Sequence, residues 1–166
     1  MNATYARLPV SLRREVEEKI RQASPAPGRP WALLLLFELD ESVRNQYRRA
    51  ITRIYREHSE ALAGLQLILK PHPLNRNDQP KILADQLAQG LNQPVTLFDC
   101  TLNLDILWSL VPASLVMAGP CGALPVVRRL GIARTVILRE IFDHIVRSYG
   151  KYGDVFERSF RGFEVW

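Results

Sequence analysis

Two short loops in this chain carry residues suited to holding an anion. The first, in LQLILKPHPLN (65–75), places Lys70 and then His72 between Pro71 and Pro73 at the end of an apolar run. Proline fixes its own backbone angle and restricts the residue before it, so the imidazole direction is set before any ligand arrives. That suits a proton donor or a phosphate ligand; the plainer alternative is a turn histidine that only ends a strand. Lys70 either neutralises phosphate or faces solvent. The second loop, in SLVMAGPCGALPVVRRLG (114–131), turns through Gly119, Pro120, Cys121, Gly122 and Ala123 into a helix. Small residues let a ligand approach the backbone, and the amides and dipole at a helix start favour an anion. An ordinary strand-to-helix turn has the same composition. Cys121 has a further reading as a nucleophile, because Gly-Pro-Cys-Gly-Ala is similar to the G-x-S-x-G elbow. It would need His144 or His72 as its base. His58 and His144, on helical stripes, read first as structural.

These loops need rigid elements behind them. Helical spacing of Leu12, Val16, Ile20 and Ala23 after Ser11 predicts an amphipathic helix over 12–23 with Ser11 as its cap. SPAPGRP (24–30) then breaks the pattern. Apolar runs predict strands over 31–39, 65–70, 95–98, 114–118 and 135–138. Between and after them, helices are expected over 43–62, with Tyr47, Ile51, Ile54 and His58 inward, and over 78–90, where Asp78 caps, Pro80 lies in the first turn and Gly90 ends the helix. Further helices follow from Leu104, Leu107, Trp108 and Val111, from 121–130 ended by Gly131, and from 140–148. Strands that are continuously apolar and alternate with helices indicate a parallel sheet covered on both faces. The expected fold class is therefore α/β, a Rossmann-like domain over 31–150, preceded by a helix and linker (1–30) and followed by an aromatic tail (151–166). Phe156, Phe160, Phe163 and Trp166 in that tail suggest docking to another domain or subunit. In such sheets ligands bind beyond the carboxyl ends of strands, where both loops fall.

Composition narrows the classes. The chain has 166 residues, 47% of them hydrophobic, enough for one core. Its longest apolar run is far short of the roughly 20 residues that cross a bilayer, and no signal-peptide core is present, so a cytoplasmic protein without a transmembrane segment is expected. Two cysteines cannot staple a scaffold, and their spacing offers no zinc site. The net charge of +5 favours anionic partners. The arginines in RREVEEKIR and RRAITRIYREHSE alternate with acids, however, and are not gathered with aromatics on one face, so no nucleic-acid partner is expected.

LILKPHP followed by LVMAGPCGALPVVRRLGIARTVIL resembles the donor-binding C-terminal half of bacterial sialyltransferases, particularly the polysialyltransferase-like group, over roughly residues 31–148. The resemblance implies one half of a GT-B glycosyltransferase with a CMP-sugar, CMP-sialic acid or similar, as donor substrate and no separate cofactor. It places the family's His-Pro motif on His72 and Pro73, with the imidazole contacting the phosphate and acting as acid while the nucleotide departs. The family's Ser-Ser motif falls on Cys121 and Gly122, a departure, since a thiol donates weakly and glycine offers only its amide. The family's acceptor-side carboxylate base belongs to the other domain, which implies a partner domain or subunit. The competing expectation is a noncatalytic nucleotide-binding or interaction module joined to a partner by its tail and first helix.

Overall fold

Trp31–Leu35, the strand β1, has all five side chains buried, alternately toward two different cores. Ala32 and Leu34 face one side; Trp31, Leu33 and Leu35 face the other. Only a central strand covered on both faces reads this way. The computed structural model describes residues 9–75, 77–100, 108, 110–131, 133–149 and 153–166.

The remaining strands are β2 (Gln66–Lys70), β3 (Val95–Leu97), β4 (Ala113–Ala118), β5 (Arg134–Ile137) and β6 (Glu164–Val165). They form one sheet in the order β3-β2-β1-β4-β5-β6, every neighbouring pair parallel. The helices are α1 (Val10–Ala23), α2 (Glu41–Glu57), α3 (Ser59–Leu62), α4 (Gln79–Leu91), α5 (Ala123–Leu130), α6 (Arg139–Tyr149) and α7 (Gly153–Ser159). One face is covered by α2, α4 and α6, which contribute Tyr47, Ile51, Leu83 and Ile141; the other by α1 and α5, which contribute Val16 and Leu124. This is a Rossmann-like α/β fold, as expected from the alternation of apolar runs and helical patterns.

Boundaries differ in physically readable ways. Helix α1 begins at Val10 after Pro9, so Ser11 lies inside it and caps nothing. The expected 43–62 helix is two pieces: α2 starts earlier because the Asp40 carboxylate accepts the Val43 amide at 2.8 Å, and His58 interrupts it before α3. Helix α4 passes through Gly90 and stops one turn-residue later at Asn92, in the left-handed conformation at φ 50°. Asparagine is one of the few non-glycine residues that adopts that conformation readily. Helix α5 starts at Ala123 rather than Cys121 and ends at left-handed Gly131, as expected. Most of the helix expected around Leu104 and Leu107 lies outside the described residues; Trp108 and Val111 are buried.

The flanking segments are built into the same core. Residues 24–30 are held to the sheet by the Gln66 amide, which bonds the Ala26 amide and carbonyl at 2.9 and 2.8 Å and the Arg29 carbonyl at 2.9 Å. In the stretch expected to dock elsewhere, Phe160 and Trp166 are buried in this domain, and β6 extends the sheet beyond β5. Trp166 is sandwiched by parallel stacking on His58, with ring centroids 4.1 Å apart, and by the Arg134 guanidinium at 5.0 Å.

Candidate functional site

Strand order reverses between β1 and β4: the chain leaves β1 toward β2 and β3, and later leaves β4 toward β5 and β6. Connections diverging in opposite directions open a crevice at the carboxyl ends of those two strands. A cavity of about 230 Å³ lies there, with Leu35, Leu36 and Phe37 on the β1 side and Gly119, Pro120, Cys121 and Gly122 on the β4 side. His72, from the loop after β2, is on the same wall set. The two loops singled out by residue type therefore meet.

His72 is half-buried, with its ring 6.0 Å from that of Phe37. Its Nδ1 accepts the Leu74 amide at 3.2 Å. In the neutral ring the proton consequently resides on Nε2, which makes that nitrogen a donor. The His72 carbonyl accepts the Asn75 amide at 2.9 Å, closing a turn that the two prolines pre-set. Asn75 then fixes this turn to the β1 loop: its Oδ1 accepts the Leu39 amide at 2.8 Å and its Nδ2 donates to the Phe37 carbonyl at 2.9 Å. Asn77 adds a bond to the Leu39 carbonyl at 3.1 Å.

Tyr47 lies beneath the cavity, and its hydroxyl accepts the Phe37 amide at 3.0 Å and donates to the Leu35 carbonyl at 3.3 Å. Burial raises its phenol far above the ordinary value, opposed by the Phe37 bond and reinforced by the nearby Cys121 thiol. It is a neutral brace for the chain leaving β1. Across the cavity, Gly119 is set by packing: a Cβ there would lie 2.6 Å from Ile141 Cγ2 and 3.2 Å from Ile145 Cδ1 of α6. Gly122 has open space, with nothing within 4 Å of a Cβ. Both cysteines are thiols, Cys100 buried and Cys121 partly exposed at the cavity. Of the first amides of α5, that of Leu124 donates to the Cys121 carbonyl at 3.3 Å, and the others have no carbonyl of their own helix to bond and head this turn.

The other expected site residues do not line the cavity. Lys70 is buried against the opposite side of the sheet, its ammonium donating to the Pro71 carbonyl at 3.1 Å, in the neighbourhood of Cys100, Asp99 and Lys19. Desolvation lowers its pKa below that of an ordinary lysine. Pro73 is exposed and Ala123 lies inside the first turn of α5. His144, the alternative base for Cys121, bonds Gln46 at 3.0 Å and lines other clefts. Among the described residues no group of His, Cys, Asp and Glu is placed to hold a metal ion.

Among the described residues no carboxylate lines the cavity, but a neighbouring cleft of about 590 Å³ shares Phe37 and Ile145 with it and is edged by Glu38, Asp40 and Glu41. Asp40 caps α2 and Glu41 pairs with Arg44 at 3.3 Å, which leaves Glu38, exposed, as the acid without a structural task among the described residues. Sequence reasoning missed Glu38 and Asn75, whose positions just after β1 and the KPHP motif were the signal, and read Tyr47 only as an inward residue of its helix. No described helix is long and apolar enough to cross a membrane. Compared with protein-family models, with curated proteins and with solved structures, the chain has no match.

Proposed function

We propose that this domain binds the phosphate of a nucleotide, in a CMP-sugar donor, at the cavity between β1 and β4, as the donor-binding half of a sialyltransferase-like GT-B glycosyltransferase. The observation that carries the reading is the convergence of His72 with the Gly119–Gly122 turn at the point where strand order reverses. In it, the Nε2–H of His72 and the first amides of α5 donate to phosphate oxygens. The imidazole then stabilises, and when charged can protonate, the phosphate as the sugar–phosphate bond breaks. Cys121 and Gly122 offer backbone contact and little side-chain donation.

Size bears on what fits. At about 230 Å³ the cavity is below the roughly 300–1,000 Å³ typical of whole-ligand pockets. It accommodates a phosphate and part of a sugar, and the remainder of the donor extends over the Phe37 side into the neighbouring cleft, where Glu38 faces whatever binds beyond. The acceptor and its base are assigned to a second domain or subunit. The second reading is a noncatalytic nucleotide-binding module, since among the described residues no carboxylate lines the cavity to serve as a base within this chain itself.

Calorimetric titration with CMP, using UMP and AMP as controls, tests both readings. Saturable CMP-selective binding that weakens about tenfold or more in His72→Ala, with the melting temperature unchanged, is the expected outcome. No binding to any nucleotide would overturn both. Binding without release of CMP from a CMP-sugar, even with a candidate partner domain added, would select the module.

A further inference from the structure

Helices α2 and α6 run antiparallel, since Gln46 meets His144 at 3.0 Å while Arg53 meets Glu140 further along, Nε and one terminal nitrogen donating to the two carboxylate oxygens at 2.8 and 3.1 Å. Between them lies a cleft of about 650 Å³ that is separate from the β1–β4 cavity and shares none of its lining. Arg49, Arg53 and Arg56 recur at four- and three-residue spacing and so share one face of α2, where Arg48 joins them. Arg147 lines the cleft from α6.

Among the described residues, five guanidinium groups therefore line one concavity with two carboxylates, Glu140 and Asp143. Glu140 is committed to Arg53, which Glu57 also holds at 2.7 Å. That pairing fixes Arg53 in place instead of letting it sweep through solvent. Arg48 and Arg49 are exposed and make no ion pair among the described residues.

The character of the lining narrows the ligand. Among the described residues it contains no aliphatic side chain and no aromatic ring besides the imidazole of His144, so guanidinium donors dominate what it offers a ligand. Guanidinium forks match phosphate oxygens two at a time. We propose that the α2–α6 cleft binds a compact oligophosphate, several phosphate groups joined or carried close together. This site does not rest on the nucleotide reading of the cavity.

Tripolyphosphate titrated calorimetrically into the full chain at about 0.15 M salt tests the proposal. Saturable binding is expected that falls at least tenfold in the double variant Arg48→Gln/Arg49→Gln, and in Arg147→Gln as an independent change on the facing helix, while His72→Ala leaves it intact. No saturable binding, affinity in both arginine variants unchanged from that of the native chain, sulfate binding as tightly as tripolyphosphate, or loss in His72→Ala instead would each overturn it.

Discussion

Gly119 and Gly122 occupy one turn and answer different needs. A side chain at 119 would be driven into Ile141 and Ile145, whereas one at 122 would meet only open space at a backbone conformation any residue adopts. Gly119→Ala is therefore expected to cost about 1–3 kcal/mol in urea unfolding, the range for forcing extra atoms into a packed site. Gly122→Ala should leave the unfolding midpoint nearly unchanged and, on the proposed reading, weaken CMP by crowding the phosphate. Equal stability of the two variants would contradict the packing role of Gly119. His72 shows a different economy: its own turn uses Nδ1, so the ligand-facing donor is selected without a second side chain. The residue types at both loops were readable in the sequence; the division of labour between the two glycines was not, because it depends on a helix that follows twenty residues later.

Among the elements, the α2–α6 pair is clamped by an arginine that serves two acids. Arg53 holds Glu140 and Glu57 below the usual carboxylate range, in each case chiefly through its direct hydrogen bonds. A carboxyl whose folded pKa is depressed adds stability that is complete above its unfolded value, near 4.3, and disappears as pH falls through the lower folded value. The melting temperature of Arg53→Gln should thus lie modestly below that of the native chain at pH 6, and the gap should close as pH falls below the ordinary glutamate value of about 4.3. The groups are partly exposed, so high salt should narrow the gap as well. A gap that widened in acid would reverse the assignment. In sequence this stretch reads as a solvated face of alternating charge, and that reading is sound for α2 alone. Only the antiparallel partner turns it into a cleft.

For the molecule as a whole, five strands announced themselves because each is an apolar run bounded by Pro, Gly or a polar loop. The sixth did not: Glu164 and Val165 are both exposed, and they form a strand only because Val136 and Ile137 lie alongside. What fixes them is Trp166, whose amide donates to the Ile137 carbonyl at 3.0 Å and whose carbonyl accepts the Arg139 amide at 2.9 Å. Trp166→Ala is expected to lower unfolding stability by about 3–5 kcal/mol, the usual cost of removing a buried tryptophan. A loss below about 1 kcal/mol would mean that the aromatic end is a surface ornament and restore the view of it as a docking segment. The crevice at the strand reversal, by contrast, follows from order alone, and order follows from β4 returning to the side of β1.

That return also sets a timetable for the chain's birth. Every pairing in the sheet is parallel, so no strand is completed by a local hairpin, and Ala32 to Leu35 cannot gain their second neighbour until Leu115 to Ala118 exist. At the roughly 5–20 residues per second of synthesis, the interval from Lys70, which completes the first neighbour, to Ala118 is about 2–10 seconds. For that time a fully apolar strand has one open edge, the condition under which an incomplete chain is most exposed to strand pairing with a neighbour.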